Sequence, residues 1–293
     1  MSPIKPVHNY RRRRINRIPN RQWNPPLILG DTTQIPDQPE KVAEHANRYP
    51  NGCALIVLGG YSSEHWSDLY ADLKPDVILG ANGVNSVIDH LDYWLCSENM
   101  NYSNKLAREG DLRAIAFMEM FHRDSGAKVK LIGNLSWNLV RDKTNCISIR
   151  RTGFEIGKLP EDFSYREYGT GLMSGWVFRQ KEIMRLPQLV GDVGGQLLHM
   201  AGILGCAEVH TIGFDLLLRE KSRHHFYDYP EYKVDRFRNA GNFVTYRGVE
   251  TQVIWIENAK FLLSMEPVMA QDGIRWIDHS DGLLGIMGLK CAV

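Results

Sequence analysis

The segment from His210 to Tyr232 holds the residues of this 293-residue chain that best suit acid–base chemistry. Its first part, HTIGFD, is a mostly apolar run that ends at Asp215, and its second part brings His224 and His225 close to two tyrosines. Histidine titrates near neutral pH, so His225 or His224 is a candidate general acid or base. A carboxylate after an apolar strand is partly desolvated unless a ligand hydroxyl or a metal binds it. The alternatives are an ordinary surface pair of histidines and a metal site at Asp215, although the spacing matches no known ligand pattern.

Two further segments place small polar residues directly after apolar runs. In LGGYSSEHW, glycines follow the run CALIVL, and such glycines let the backbone approach a phosphate while the N–H groups at the next helix start bind the anion. In GANGVNS, two asparagine amides suit the ribose, base or phosphate of a nucleotide. Plain strand-to-helix turns have the same composition, and neither GxGxxG nor GK[ST] occurs in these loops. The candidate nucleotide-binding residues are Gly59, Gly60, Ser62, Ser63, Asn82, Asn85 and Gly213.

The elements that must position these residues are short apolar runs that alternate with helical patterns from Cys53 onward. The expected strands are CALIVLGG, PDVILGANG, residues 91–98, 128–134 and 207–215, and the run in GIRWID. Helices are expected in EHWSDLYADL, around 103–123 and 194–204, and in TQVIWIENAKFLLSM. This alternation predicts an α/β protein with a mostly parallel sheet and helices on both faces. Ligands of such folds bind at the carboxyl ends of the strands, where the candidate residues fall.

Residues 1–50 differ from the remainder of the chain, because they are rich in Pro, Arg and Asn. We expect an extended basic arm there and a single domain over 51–293. The run Arg11, Arg12, Arg13 and Arg14 beside Tyr10 can neutralise phosphates and stack on bases, which makes nucleic acid one expected partner. A solvated tail, or an arm that docks on another subunit of a homo-oligomer, explains the run equally well.

Several protein classes are disfavoured by composition. The five cysteines show no CxxC or CxxH spacing, which argues against a structural zinc site and a secreted disulfide framework. No run of about eighteen apolar residues occurs, and the N-terminus has no apolar signal region, so we expect a cytoplasmic protein with no transmembrane segment.

Taken in order, these segments resemble the Rossmann-like group that joins the archaeal 6-hydroxymethylpterin diphosphokinase family with small bacterial sialyltransferases. The resemblance lies in ALIVLGGYSSEHW, DVILGANGVNSVIDHLDYWLCSE and GGQLLHMAGILGCAEVHTIGFDLLL. It implies a Rossmann-like fold, a glycine loop with a serine, an asparagine after the second strand and a strand that ends in Gly-x-Asp. KSRHHFYDYPEY resembles the sialyltransferase segment that carries the general base. The chain departs from the group in GGYSS, where Gly-Pro-Ser is usual, and at Ser97-Glu98, where an Asp is common.

The sequence and the resemblance together predict a transferase with a nucleotide-activated donor, first of all a CMP-sugar, and a glycan or small-molecule acceptor. His225 or His224 would be the general base, and Asp215 would orient a ribose or an acceptor hydroxyl. The first alternative is an ATP-dependent pyrophosphokinase, which needs Mg²⁺ at carboxylates such as Glu98 and Asp215. The second is a non-catalytic protein that binds nucleic acid or a protein partner through its arginine-rich arm.

Overall fold

The computed structural model describes residues 38–96, 126–133, 143–149, 176–179, 182–185, 193–218 and 243–289. Its strands are β1 Cys53–Val57, β2 Val77–Ala81, β3 Tyr93–Cys96, β4 Val129–Gly133, β5 Cys146–Ile149, β6 Trp176–Arg179, β7 Glu182–Arg185, β8 Glu208–Ile212, β9 Phe243–Tyr246, β10 Val249–Gln252 and β11 Arg275–Asp278. Its α-helices are α1 Pro39–Ala43, α2 Trp66–Leu73, α3 Val193–Ile203, α4 Val253–Gln271 and α5 Leu283–Met287. Two 3-10 helices, Tyr61–His65 and Asn82–Ser86, directly follow the β1 and β2 loops.

Seven strands form one sheet in the order β11-β8-β1-β2-β3-β4-β5, and every neighbouring pair in it is parallel. From β1 the chain builds the sheet outward to β5, and it then adds β8 and β11 on the other side of β1. The direction of winding therefore reverses between β1 and β8. In open α/β sheets, ligands bind in the crevice at such a switch point.

Apolar side chains cover the sheet on both faces. Ala54, Ile56 and Leu79 pack with α3, α4 and α5 on one face, whereas Leu55 and Val57 pack with α2 on the other. This two-sided burial explains why the central strands are continuous apolar runs and not alternating ones. The predicted Rossmann-like α/β fold, with a parallel sheet and helices on both faces, is confirmed.

Residues 38–50, which the sequence analysis assigns to the arm, pack against this domain. Val42 in α1 is fully buried, and His45 Nδ1 lies 2.7 Å from Tyr93 Oη. The backbone N–H groups of Asn47 and Tyr49 donate to the carbonyls at the end of α3 and just beyond it (2.9 and 2.8 Å). Residues 1–37, with the arginine run, lie outside the described residues.

The hairpin β9–β10 was not expected from the sequence. Residues 251–252, which the sequence analysis includes in a helix, belong to β10, so α4 begins only at Val253. The turn between the strands is Arg247–Gly248, with positive φ angles of 48° and 87°. Two-residue hairpin turns require this left-handed geometry, but Arg is an unusual residue to supply it, which explains why the turn was missed.

A membrane crossing would need a long and strongly apolar helix, and none of the described helices has that length and character.

Candidate functional site

The loops after β1 and β8 lie against each other at the switch point. Leu58 N–H donates to Ile212 O (2.9 Å) and Gly60 N–H donates to Gly213 O (3.0 Å), so the pairing of the two strands continues past their ends. A Cβ atom added to Gly60 would lie 2.4 Å from Gly213 O, and one added to Gly213 would lie 2.3 Å from Ser63 Oγ. Gly213 also has a positive φ of 92°. These glycines are therefore required for the close approach of the two loops.

Asp215 fixes the first loop to the second. Its carboxylate accepts hydrogen bonds from the backbone N–H of Ser62 (Oδ2, 2.9 Å) and from the Ser62 hydroxyl (Oδ1, 2.5 Å). The same hydroxyl accepts a bond from Gly213 N–H (3.0 Å). Because Asp215 is only 2% exposed, these charge-assisted bonds compensate part of the cost of burying its carboxylate.

Two other parts of the chain hold the segment around Asp215. Leu283 N–H, at the start of α5, donates to Asp215 O (2.8 Å). The Thr251 hydroxyl, on β10, donates to Leu216 O (2.6 Å). The β1 loop, α5 and the β9–β10 hairpin thus converge on the end of β8 and make it a rigid point of the fold.

The amides at the start of the first 3-10 helix are used within the protein. Ser62 N–H donates to Asp215, and Ser63 N–H donates to Gly60 O (3.2 Å). Gly59 and Gly60, both half-buried, precede them. The phosphate-binding role that the sequence suggested for these N–H groups therefore competes with intramolecular hydrogen bonds, and a carboxylate lies beside them.

Asn82 and Asn85 lie on the 3-10 helix after β2, the strand next to β1. Asn82 has a left-handed backbone (φ 49°), and its carbonyl accepts a bond from Trp94 Nε1 (2.8 Å). Asn85 is 8% exposed, and its Oδ1 has no hydrogen-bond partner among the described residues. The β1, β2 and β8 ends therefore place their candidate residues on one edge of the sheet, as parallel strands require.

Three strand ends carry a buried polar atom that has no hydrogen-bond partner in the described part of the chain. The third of them is the end of β11. Ser63 Oγ after β1, Asn85 Oδ1 after β2 and Asp278 Oδ2 at the end of β11 share this state, as does Asn258 Oδ1 in α4. Each such atom costs about 1–3 kcal/mol when it is buried without a bond. Ser63 and Asp278 are 0% exposed and Asn85 is 8% exposed, so these three atoms lie beneath the surface of this edge.

Asp278 was missed by sequence reasoning. Its Oδ1 accepts bonds from Thr211 Oγ1 (2.7 Å) and Ser280 Oγ (2.9 Å), and Trp276 Nε1 donates to Thr211 Oγ1 (2.9 Å). Burial raises the pKa of Asp278 to about 7; the nearby charge of Asp215 adds to the rise and the hydrogen bonds oppose it. A proton can therefore be gained or lost there near neutral pH. The signal in the sequence was the Asp that closes the strand RWID, at the same strand position as the other candidates.

Three of the predicted residues are not placed by the structure. His224 and His225, the candidate bases, and Glu98, the candidate Mg²⁺ ligand, lie outside the described residues. The residues that the structure does bring together are Gly60, Ser62, Ser63, Gly213 and Asp215.

Comparison with known proteins gives no family for this chain. No protein-family model matches it, and no curated protein matches it either. The similarity to the diphosphokinase and sialyltransferase group therefore stays a prediction from the sequence motifs.

Proposed function

We propose that the protein is a transferase that binds a nucleotide-activated donor at the carboxyl edge of β1, β2, β8 and β11. The observation that carries this proposal is the set of buried, unpartnered atoms Ser63 Oγ, Asn85 Oδ1 and Asp278 Oδ2. Native proteins leave few such atoms unsatisfied, and binding sites are where the exceptions gather. Their location at a topological switch point supports the same conclusion.

The kind of group at this edge favours the nucleoside part of a donor. A carboxamide oxygen accepts hydrogen bonds, a hydroxyl accepts or donates, and the Asp278 carboxyl accepts when ionised and donates when protonated. These groups suit ribose hydroxyls and the exocyclic amino group of a base such as cytosine. The backbone N–H groups of Ser62 and Ser63 both donate within the protein already, so they do not favour a phosphate at this position.

In this proposal Asp215 has a positioning role first. It holds Ser62, and through it the loop from Gly59 to Ser63, against the end of β8. We further propose that Asp215 orients a ribose or an acceptor hydroxyl, which would exchange with one of the bonds that the carboxylate now accepts.

The reaction we propose is glycosyl transfer from a CMP-sugar without a metal. His225 or His224 removes the proton from the acceptor hydroxyl, the acceptor oxygen forms a bond to the anomeric carbon, and CMP leaves with the bonding electrons. A positioned base contributes about 10²- to 10⁴-fold to such a step.

The first test is a thermal-shift panel on the full chain with CMP, UDP, GDP and ATP derivatives, each with Mg²⁺ and with a chelator. We expect cytidine nucleotides to raise Tm in both conditions, since a ligand at 100 times its Kd stabilises by about 2.7 kcal/mol. No stabilisation by any nucleotide would refute the proposal. Stabilisation by ATP only, and only with Mg²⁺, would instead favour the pyrophosphokinase.

The second test addresses the base. With an acceptor in hand, His225→Ala or His224→Ala should lower turnover by at least about 10²-fold and leave the nucleotide-induced Tm shift intact. His90→Ala, which removes an exposed histidine after β2, is the matched control and should keep full turnover. If both single variants at 224 and 225 keep full turnover, the assignment of the base is wrong.

The third test concerns the basic N-terminal arm. Deletion of residues 1–22 should leave the nucleotide-induced Tm shift unchanged. If the deletion instead abolishes nucleic-acid binding or assembly in a protein that shows no nucleotide-induced Tm shift, the non-catalytic alternative is favoured.

A further inference from the structure

We propose that Cys53, Glu208 and His210 form a binding site for a divalent transition metal of the Zn²⁺ type. The thiol sulfur, a carboxylate oxygen and an imidazole nitrogen of these residues all lie within 4.8 Å of one another. Cys53 and Glu208 are the first residues of β1 and β8, about 13 Å from the carboxyl edge at ~3.3 Å per residue, and His210 lies two residues further along β8.

The sheet register creates this cluster. Cys53 pairs directly with Glu208 across β1 and β8, and His210 lies two residues further on, so its side chain points to the same face as that of Glu208. The residues of β8 on the opposite face, such as Val209, belong to the core. Three different metal-binding groups thus lie together on one face at the start of β1 and β8.

The separations are close to those that a tetrahedral metal needs. Zn²⁺ binds sulfur at about 2.3 Å and nitrogen or oxygen at about 2.0–2.2 Å, which places tetrahedral donors about 3.3–3.6 Å apart. Glu208 Oε1 and His210 Nε2 are now 2.5 Å apart, and all donor pairs are within 4.8 Å. Side-chain rotations that move the donor atoms by about an ångström would bring the three donors to that geometry. A fourth position would remain for water or another ligand.

The chemistry of the donors selects the metal. A thiolate with an imidazole suits Zn²⁺ and related borderline ions, whereas Mg²⁺ and Ca²⁺ prefer oxygen ligands.

His279 contacts the second ring nitrogen of His210, where a metal-binding histidine more commonly has a carboxylate, a carbonyl or water. Its Nε2 lies 2.7 Å from His210 Nδ1, and the two rings stack with centroids 5.0 Å apart. In metal sites the second ring nitrogen of the ligand histidine typically donates to such a partner, which fixes the tautomer and aims the other nitrogen at the metal. Here that arrangement aims His210 Nε2 at Glu208 and Cys53.

Neighbouring charges set the conditions for binding. Arg275 forms an ion pair with Glu208 and therefore occupies one side of the carboxylate that a metal would bind. The Arg275 side chain is 68% exposed and can swing into solvent when a metal takes its place. A metal bound by the Cys53 sulfur displaces the thiol proton, so binding should strengthen as the pH rises. Asp76, which accepts Cys53 N–H (2.8 Å), adds negative charge that attracts a cation.

The experiment is a titration of the metal-free full chain with Co²⁺ and then Zn²⁺. We expect a saturable absorption band for sulfur-to-Co²⁺ charge transfer at one ion per chain, its loss on addition of Zn²⁺, and a Zn²⁺-dependent rise in Tm. Cys53→Ser should abolish the band, and Cys206→Ala, which removes a buried thiol elsewhere in the core, should keep it.

Two further variants separate a metal site from a simple ion-pair network. Glu208→Gln and His279→Phe should each weaken Zn²⁺ binding about 10- to 100-fold, as expected for a ligand and an outer-shell partner. If wild-type protein shows no saturable Co²⁺ band, or if the band persists in Cys53→Ser, the proposal is wrong. If Glu208→Gln lowers Tm equally with and without Zn²⁺, the cluster is only an ion-pair network.

Discussion

The two edges of the parallel sheet handle their polar residues in opposite ways. From the start of β8, Glu208 bonds to Arg275 and to His210, and His210 also bonds to His279, which follows Asp278, so these polar groups are partners of one another. At the carboxyl edge, Asp215 is matched by Ser62, but atoms of Ser63, Asn85 and Asp278 are left without partners among the described residues. The polar groups near the start of β8 therefore find hydrogen-bond partners within the protein, whereas these three atoms at the carboxyl edge do not.

This difference indicates that the carboxyl edge is kept at a cost in stability. Unpartnered buried groups destabilise the folded state by about 1–3 kcal/mol each, and such costs are characteristic of sites that a ligand completes. The amino edge needs no ligand for its hydrogen bonds, and a metal there would replace existing contacts. The comparison therefore favours the carboxyl edge as the place to test the proposed binding of an organic ligand.

The largest expected effect comes from the contact between the loops of β1 and β8. Gly213→Ala would place a Cβ 2.3 Å from Ser63 Oγ and 2.7 Å from Leu58 O, at a φ of 92°, so we expect a loss of about 4 kcal/mol or more in the free energy of unfolding. Gly273→Ala is the matched control, because its φ is also positive (71°) but no atom lies within 4 Å of the added Cβ. It should cost about 1–2 kcal/mol, the cost of the backbone conformation alone. Equal losses in urea unfolding would show that the loops are not in close contact.

The next effect is a pH dependence from two buried groups with opposite signs. The pKa of Asp278 is raised to about 7, so the folded state holds its proton more tightly, and this group's contribution to stability falls as the pH rises from about 4 to 7. Burial lowers the pKa of His199 to about 3, so its contribution is lost as the pH falls from 6.5 towards 3. Each contribution changes by about 1.4 kcal/mol per pH unit within its window, and the two oppose each other between about pH 4 and 6.5.

Single substitutions should separate the opposing contributions of Asp278 and His199 to the pH dependence of stability. Relative to wild type, Asp278→Asn should gain stability as the pH rises from 4 to 7, and His199→Gln should gain stability as the pH falls from 6.5 to 4. Denaturant unfolding at a series of pH values measures both differences. A difference between Asp278→Asn and wild type that does not vary with pH would show that Asp278 is ionised normally.

Much of the architecture could be predicted because its signals are local. Runs such as CALIV and VILGA are continuous and apolar, as doubly covered parallel strands must be, and polar residues mark where they end. Local sequence patterns could not predict the hydrogen bond between Ser62 and Asp215. This bond depends on the position of β8 next to β1, and no local pattern determines strand order.

The same reason explains what was missed. The group formed by Cys53, Glu208 and His210 exists only through the register of β1 against β8, and its spacing along the chain resembles no zinc motif. Asp278 was visible as a residue at a strand end, but its raised pKa follows from tertiary burial.

The central claim is that unpartnered atoms at the carboxyl edge contact a nucleotide donor. The smallest expected effect, that of Ser63→Ala, tests this claim most directly. The measurement is the free energy of unfolding of Ser63→Ala together with its Kd for CMP, compared with wild type and with Ser264→Ala, which removes an exposed hydroxyl from α4. Because Ser63 Oγ is buried without a partner, its removal should leave stability unchanged or raise it by about 1 kcal/mol, while CMP binding weakens about 2- to 10-fold from the loss of one hydrogen bond. Ser264→Ala should change neither the stability by more than about 0.5 kcal/mol nor the affinity. A Ser63→Ala protein that is less stable and binds CMP as wild type does would contradict the account.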